Sequence, residues 1–265
     1  MAHFFRNSLA RNCLAVALVA LAMPAAAQTV RIHDRTVIPE NLTAAADGTL
    51  YIGSYGRGGI YRAAPGAELA SLWLAPGTGS INRVMGLWAD DSRNRLWACD
   101  TAAKAGDSAE VRATAGSVKL LELSSGKLVA SYPMAGGGAC NDLTLDKDGA
   151  LYITDMAGRI LRIRGDGNAM EVWSSDSRLE SADGLALLDD GRLYVNGFRT
   201  GKLLRIAINA DGSAGAITEL ETDRPLVQPD GMRQAGPARL LVIEAEGRLT
   251  ELTVSGDRVQ VRTIR

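Results

Sequence analysis

The sequence has few of the side chains that enzymes most often use as nucleophiles, general bases or zinc ligands. Its 265 residues include two histidines and three cysteines, and aromatic residues make up 5% of the chain. His33 is the only histidine after position 3, and we expect it to lie on the surface, so a Ser/His/Asp group is not expected. Basic and acidic residues number 29 and 30, which favours neither nucleic acid nor a membrane surface as a partner.

The first 27 residues have the organisation of a secretory signal peptide. Arg6 and Arg11 precede an apolar run from Leu14 to Met23, and small residues surround a cleavage site after Ala27. The apolar run is about ten residues long, well short of the roughly 20 that span a bilayer. We therefore predict a signal peptide over 1–27, one domain over 28–265, and a periplasmic or secreted protein.

Export would leave two cysteines in the mature chain. Cys99 and Cys140 could form a disulfide between neighbouring repeats, because oxidising compartments permit it. Two separately buried thiols are the alternative, and the sequence leaves both open.

An internal repeat is the main signal in the chain. A leucine opens a short β-rich run five times, with spacings of 46, 55, 42 and 47 residues. Asp-Gly pairs that favour tight hairpins precede three of these runs, and further strand-like runs follow each one. The aligned runs are Leu50–Gly53, Leu96–Cys99, Leu151–Thr154, Leu193–Asn196 and Leu240–Ile243.

Four short strands repeating every 40 to 50 residues are typical of propeller blades. We predict an all-β fold, a β-propeller of four-stranded blades with five repeats visible. The strand-like segment Val30–Ile38 is left over, and we expect it to close the ring onto the last blade. If instead the chain stops before a last blade, blades one and five would expose unpaired strand edges.

One position of the repeat carries oxygen-bearing side chains. Ten positions before each aligned leucine stand Glu40, Gly86, Asn141, Asp183 and Asp230. This position is expected to face the central channel, where converging carboxylates repel one another unless a cation neutralises them. Oxygen ligands indicate a hard cation such as calcium, magnesium or manganese. Gly86, without a side chain, would leave the channel open on one side.

Two alternatives stay open at this stage. Asp-Gly and Asn-Asp are common turn pairs, so the acidic positions could be turns that recur with the repeat. A second ring of residues lies four positions after each leucine, and we interpret it as exposed polar residues at strand ends rather than substrate contacts. Its members are Ser54, Asp100, Asp155, Gly197 and Glu244.

The motifs that open the blades resemble the regucalcin/gluconolactonase family of lactonases. The matching pieces are Pro39-Glu40, Asn141-Asp142-Leu143, Asp183-Gly184-Leu185 and Pro229-Asp230-Gly231-Met232, each followed by a Leu-Tyr-Val-like strand. The resemblance covers most of the mature chain and implies a propeller, for which the family expectation is six blades.

The resemblance also implies a function and roles for residues. It implies one divalent metal, with calcium expected and zinc, manganese or magnesium as alternatives, held by Glu40, Asp183 and Asp230 with Asn141. The metal would polarise the carbonyl of a small lactone, Asp230 would activate water, and Asn141 and Asp142 would contact the substrate. The family typically has Asn where this chain has Asp183, and a sugar-binding arginine where it has Ala139.

A second resemblance supplies a different function. The segment from Gly86 to Asp90 and on through Leu96 to Asp100 is similar to the royal jelly/yellow proteins, which are mainly binding propellers. The alternative prediction is therefore a propeller that binds a ligand or partner without catalysis.

Overall fold

The computed structural model describes residues 29–101, 116–165, 167 and 169–265. The predicted signal peptide over 1–27 lies outside this range. Among the described residues, no helix is long and apolar enough to cross a membrane.

Five antiparallel sheets follow one another along the chain, each with four main strands. They form the five blades of a β-propeller, which confirms the predicted fold. Blade 1 contains β1 (Pro39–Ala44), β2 (Leu50–Ser54), β3 (Ile60–Ala63) and β4 (Ser71–Leu74); blade 2 contains β5 (Arg83–Asp90), β6 (Arg95–Thr101), β7 (Gly116–Glu122) and β8 (Leu128–Pro133); blade 3 contains β9 (Cys140–Leu145), β10 (Leu151–Asp155), β11 (Arg159–Ile163) and β12 (Met170–Ser175). Blade 4 contains β13 (Ala182–Leu187), β14 (Leu193–Gly197), β15 (Leu203–Ile208) and β16 (Ala214–Glu219); blade 5 contains β18 (Met232–Gly236), β19 (Arg239–Glu244), β20 (Arg248–Ser255) and β21 (Arg258–Thr263).

Short elements complete the fold. The two-residue strand β17 (Glu221–Thr222) pairs in parallel with the outer edge of blade 5. In the described part of the chain, single-turn 3₁₀ helices lie in the connections at Thr78–Ser80, Asp91–Arg93, Ser177–Leu179 and Ala245–Gly247. The predicted Asp-Gly turns join the first and second strands of their blades, and their glycines have left-handed backbone, as in Gly48 (φ 89°) and Gly149 (φ 88°).

The aligned leucine runs form the second strand of each blade, and in blades 2, 3 and 4 both faces of that strand are buried. In β14, Leu193 and Val195 pack toward blade 3, while the intervening Tyr194 packs toward blade 5. A separate apolar core therefore joins each blade to the next from blade 1 to blade 5. Stacking of twisted sheets around an axis buries the inner strands of every blade that lies between two others.

A disulfide links blades 2 and 3. Cys99 in β6 and Cys140 in β9 are bonded, with their Cα atoms 5.3 Å apart. Of the two possibilities left open by the sequence, the structure has the paired one. The bond lies directly beside Asn141 and fixes the start of the innermost strand that carries it.

Removing this disulfide is expected to lower the free energy of unfolding by about 3 kcal/mol, because it constrains a loop with a sequence separation of 41 residues. The measurement is urea denaturation of the Cys99→Ala/Cys140→Ala double variant beside the oxidised protein. Reduced wild type is the matched control and should resemble the variant. Equal midpoints for the oxidised and reduced proteins would contradict the expectation.

The N-terminal segment does not close the ring, so that expectation was wrong. Arg31 forms a parallel bridge with Leu69, and Val30 and Ile32 pack on the apolar face of blade 1 around Tyr61. The face of blade 1 that is turned away from blade 2 is apolar, and the N-terminal segment covers its outer part. Burial of this face outweighs pairing with blade 5.

The inner part of the same face stays uncovered, which leaves a cleft between blades 1 and 5. Leu42 occupies a repeat position whose equivalents pack against the preceding blade: Leu87, Leu143, Leu185 and Met232, all fully buried. Leu42 itself is 56% exposed. The cleft exposes parts of the sheet faces of blades 1 and 5, whereas unpaired strand edges were expected only if the chain stopped before a last blade.

Candidate functional site at the channel

The four predicted oxygen ligands lie at equivalent positions around the channel. Glu40, Asn141 and Asp183 are each the second residue of an innermost strand. Asp230 precedes β18, where its N–H donates to Ile243 O at 2.8 Å. All four are therefore part of, or bonded to, the strand ladders, so the alternative that they are recurring turns is wrong.

The remaining member of the ring, in blade 2, is not Gly86 but the residue before it. Leu96 pairs with Ala89, seven positions earlier, whereas the leucines of the other four blades pair six positions earlier. The longer connection in blade 2 shifts the register, so Met85 rather than Gly86 is equivalent to Asn141. A thioether side chain therefore interrupts the ring of oxygen ligands.

Gly86 does not open the channel, in contrast to the expectation. A Cβ at this position would lie 2.7 Å from Asn141 O and 2.8 Å from the Asp142 Cα. The glycine therefore allows close approach of β5 and β9. Gly184 does the same beside blade 5, where a Cβ would lie 2.4 Å from Asp230 O.

The chain enters three of these strands through a left-handed residue that is not glycine. Ile38 (φ 42°), Ser181 (φ 56°) and Gln228 (φ 44°) each lie two positions before a carboxylate of the channel. This conformation costs about 1 kcal/mol or more for such side chains. The shared left-handed conformation lies just before the strand and sets the direction in which Glu40 and its equivalents enter the channel.

Glu40 is the least satisfied of the four. Its Oε2 is buried and has no hydrogen-bond partner among the described residues. Burial raises the pKa of Glu40 well above its usual range, and the charges of Asp230, Asp142 and Asp183 raise it further. The charge of Arg233 opposes these effects on the pKa, but no group donates a hydrogen bond to Oε2 among the described residues.

Asp183 and Asp230 form a close acidic pair. Burial raises the pKa of Asp183, and the neighbouring charges of Asp230 and Asp142 add to the effect. Asp183 hydrogen-bonds Asp230 and also contacts the Asn141 side chain. Burial likewise raises the pKa of Asp230, opposed by the Gly231 N–H, which donates to Oδ1 at 2.8 Å. Each of these two buried carboxyls lies close to the other, and this disfavours the doubly ionised pair.

The structure adds Arg233 to the site, which the sequence reading missed. Its guanidinium donates to Asp142 Oδ2 at 2.8 Å and to Asn41 Oδ1 at 2.6 Å, and it lies 5.6 Å from the Trp88 ring. The arginine thus reaches from blade 5 to blades 1, 2 and 3. The available signal was its place directly after the Pro-Asp-Gly-Met element, in an acidic site that needs a balancing cation.

Asp142 is committed to this arrangement. It is 2% exposed, and Asn41 Nδ2 also donates to its Oδ1 at 3.0 Å. Its predicted contact with a substrate stays a prediction, while the observed role is to hold Arg233 in the channel. Ala139, the position where the family has a sugar-binding arginine, is buried at 2% exposure.

The residues fit a hard cation by their chemistry. Across the described part of the chain, no three or more histidine, cysteine, aspartate and glutamate side chains are arranged to hold a metal as they stand. Yet the unpartnered Glu40 Oε2 and the close buried pair of Asp183 and Asp230 are the features that a cation would stabilise. Carboxylate and amide oxygens suit calcium, magnesium or manganese better than zinc.

The second ring is buried rather than exposed, which corrects the sequence interpretation. Ser54, Asp100, Asp155 and Glu244 are at most 1% exposed. Asp100 accepts from Asn82 N at 2.6 Å and Glu244 accepts from Val227 N at 2.7 Å. These side chains anchor the segment that leads into the innermost strand of their own blade, and so they position the channel residues.

Asp100 should make stability depend on pH. Burial raises its pKa to about 7, against the opposing effects of the Asn82 N–H and of Lys119. Between pH 4 and 7 the folded protein then binds a proton that the unfolded chain has lost, so stability falls as pH rises through this window and levels off above it. Asp100→Asn should remove this pH-dependent loss of stability. The melting temperature of the variant minus that of wild type should therefore increase as pH is raised from 4 to 7.

The matched control is Asp148→Asn, which changes an exposed aspartate. Its melting temperature relative to wild type should stay constant over the same pH range. A constant difference for Asp100→Asn as well would mean that the buried carboxyl is already ionised at pH 4.

Solved structures share this architecture at low sequence identity. A virginiamycin B lyase from Staphylococcus aureus, solved with quinupristin, superposes with a TM-score of 0.65 at 18% identity over 88% of this chain and 72% of that chain. The shared property is the fold. A gluconolactonase from Xanthomonas campestris gives 0.64 at 17% identity over 84% and 75%.

The same fold also occurs in a binding protein. A nidogen/laminin complex matches with a TM-score of 0.64 at 13% identity over 85% of each chain. No protein-family model and no curated protein matches the sequence. The chain therefore shares the β-propeller fold of these proteins, and the fold by itself allows either catalysis or binding.

Proposed function

We propose that the protein is an exported, metal-dependent hydrolase of small lactones. The observation that carries the proposal is the cluster of Glu40, Asn141, Asp183 and Asp230 at equivalent blade positions, with Glu40 Oε2 buried and unpartnered. A site of this kind is unfavourable unless something positive binds to it. The likeness of fold to gluconolactonases, together with the motifs that open the blades, supports a lactone as the substrate.

Each residue has a role in the proposed reaction. Glu40, Asp183, Asp230 and Asn141 would hold the metal, with calcium as the expected ion. When bound, the cation supplies Lewis-acid polarisation of the substrate carbonyl. Asn141 would orient the substrate through its amide, and Arg233, held by Asp142, would keep one positive charge beside the site.

Asp230 is the proposed general base. It accepts a proton from water as the water oxygen bonds to the carbonyl carbon. The ring C–O bond then breaks, and the leaving oxygen takes the proton back, so that lactone and water give a hydroxy acid. The Gly231 N–H donates to Oδ1 of Asp230 and so fixes the orientation of this carboxyl.

The test is hydrolysis of a lactone panel, followed by proton release. The mature chain is stripped of metal and then supplied with calcium, manganese, magnesium or zinc. Activity that is lost on stripping and returns with one ion would support the proposal. A folded, metal-loaded protein that hydrolyses none of the lactones would overturn it.

A binding propeller is the second candidate, and two observations favour it. No ready-made metal geometry is present among the described residues, and Asp142 is fully engaged by Arg233 and Asn41. In that case, added metal would raise the melting temperature without producing turnover.

The disulfide supports export. Cys99–Cys140 requires an oxidising compartment in most organisms, such as the periplasm or the extracellular space. Comparing the mass of the N-terminus of the protein recovered from the periplasm with cleavage after Ala27 would test the predicted signal peptide.

A further inference from the structure

The cleft between blades 1 and 5 opens directly onto the proposed catalytic residues. It has a volume of about 690 Å³, and Glu40, Asp230 and Arg233 line its inner end. Ligand pockets commonly have volumes of about 300–1,000 Å³, with apolar walls and a few polar groups that fix orientation. The cleft has both properties.

Its walls are apolar on both sides. Blade 1 contributes Ile38, Leu42 and Ile52, and blade 5 contributes Leu241, Ile243 and Leu249. Leu42 is 56% exposed and Ile243 is 43% exposed. In the other four blades, the residues equivalent to Leu42 are fully buried. Such exposure is unfavourable for a side wall unless an apolar group occupies the cleft.

The surrounding surface argues against another blade or a second copy as the occupant. On the outer part of the same face of blade 5, Glu251 pairs with Arg239 at 3.3 Å and with Arg262 at 2.8 Å. The outer part of the blade 1 face is already covered by the N-terminal segment. A full blade would have to bury the charged group and displace the segment, whereas a narrow apolar chain needs only the inner slot.

We propose that the cleft binds the aliphatic tail of the substrate, so that the preferred substrates are lactones with an alkyl chain rather than sugar lactones. The inference rests on the proposed hydrolase function. The lactone ring would lie at Asp230 and Arg233, and the chain would run outward between Leu42 and Ile243. The polar hydroxyls of a sugar would find no partners along these walls.

Turnover of γ-lactones with alkyl substituents of zero to six carbons tests the inference in the metal-loaded mature protein. We expect kcat/KM to rise by about threefold per added methylene, because each buried methylene adds hydrophobic binding. Leu42→Gln and Ile243→Asn, both at exposed positions, should flatten this dependence. Val129→Gln, a change of an exposed side chain on the outer strand of blade 2, should preserve it.

A second measurement separates this inference from the proposed hydrolase function. Alkyl pyrrolidinones, the lactams of the same shape, resist hydrolysis, and their binding can be followed by calorimetry without added metal. Affinity that rises with alkyl chain length in wild type, and not in Leu42→Gln, supports binding of the alkyl chain in the cleft. This result would stand even if no lactone is hydrolysed and the hydrolase proposal fails. Affinity that is independent of alkyl chain length overturns the inference that the cleft binds the chain. A dimer in solution that Leu42→Gln dissociates also overturns it.

Discussion

Asp230→Asn is expected to reduce lactone hydrolysis by at least about 10³-fold, because an amide cannot accept the proton of the attacking water. The fold should be unaffected. The backbone contacts of Asp230 to Ile243 and Asn196 do not involve its carboxylate, and the Asn oxygen can still accept from Gly231 N. The measurement is kcat/KM with the restored metal, beside the melting temperature.

Asp183→Asn is the matched control for this variant. It changes the other carboxyl of the pair, at the position where the resembled family has asparagine, and its amide oxygen can still ligate a cation. We expect it to keep most of the activity while changing the preferred ion. If Asp230→Asn instead turns over like wild type, Asp230 is not the base. If it changes only the melting temperature, the binding propeller is the better account.

Arg233→Met is expected to lower the free energy of unfolding by about 3 kcal/mol. The change keeps an unbranched side chain but removes the guanidinium, which leaves the buried Asp142 carboxylate without its charged partner. It also removes the contacts that join blade 5 to Asn41 and to Leu87 O. Chemical denaturation of the single variant measures the effect.

Adding Asp142→Asn to Arg233→Met should recover about half of the loss, since the unpaired charge is then gone. Arg239→Met is the surface control, because Arg239 is exposed and pairs with Glu251 on the outer part of blade 5. This variant should lower the free energy of unfolding by less than about 1 kcal/mol. A double variant no more stable than Arg233→Met would show that packing, rather than charge, makes the arginine important.

The repeat allowed most of the fold to be predicted because leucine-led strands recur in register. Positions that depend on that register alone, such as Glu40, Asn141 and Asp183, were placed correctly in the innermost strands. Met85 was missed because one additional residue between β5 and β6 shifts the pairing, and counting along the sequence cannot detect such a shift.

Other features could not be read from the sequence because they depend on distance through space. Arg233 contacts residues that are 91 and 192 positions away. The second-ring residues looked like exposed strand ends, since no sequence pattern reveals that Asp100 and Glu244 bond the loop that precedes their own blade. The Cys99–Cys140 pair required the same spatial knowledge.

A propeller whose first and last blades are separated by a cleft is an open row of blades, in which blades 1 and 5 each pack against one neighbour only. Buried apolar cores join blade 1 to 2, 2 to 3, 3 to 4 and 4 to 5, and the described residues include no such core between 5 and 1. Blades 1 and 5 should therefore fray first, with amide hydrogen exchange faster there than in blade 3. Because Glu40 and Asp230 belong to those two blades, a ligand that bridges them would act as a clasp and slow exchange at both ends together.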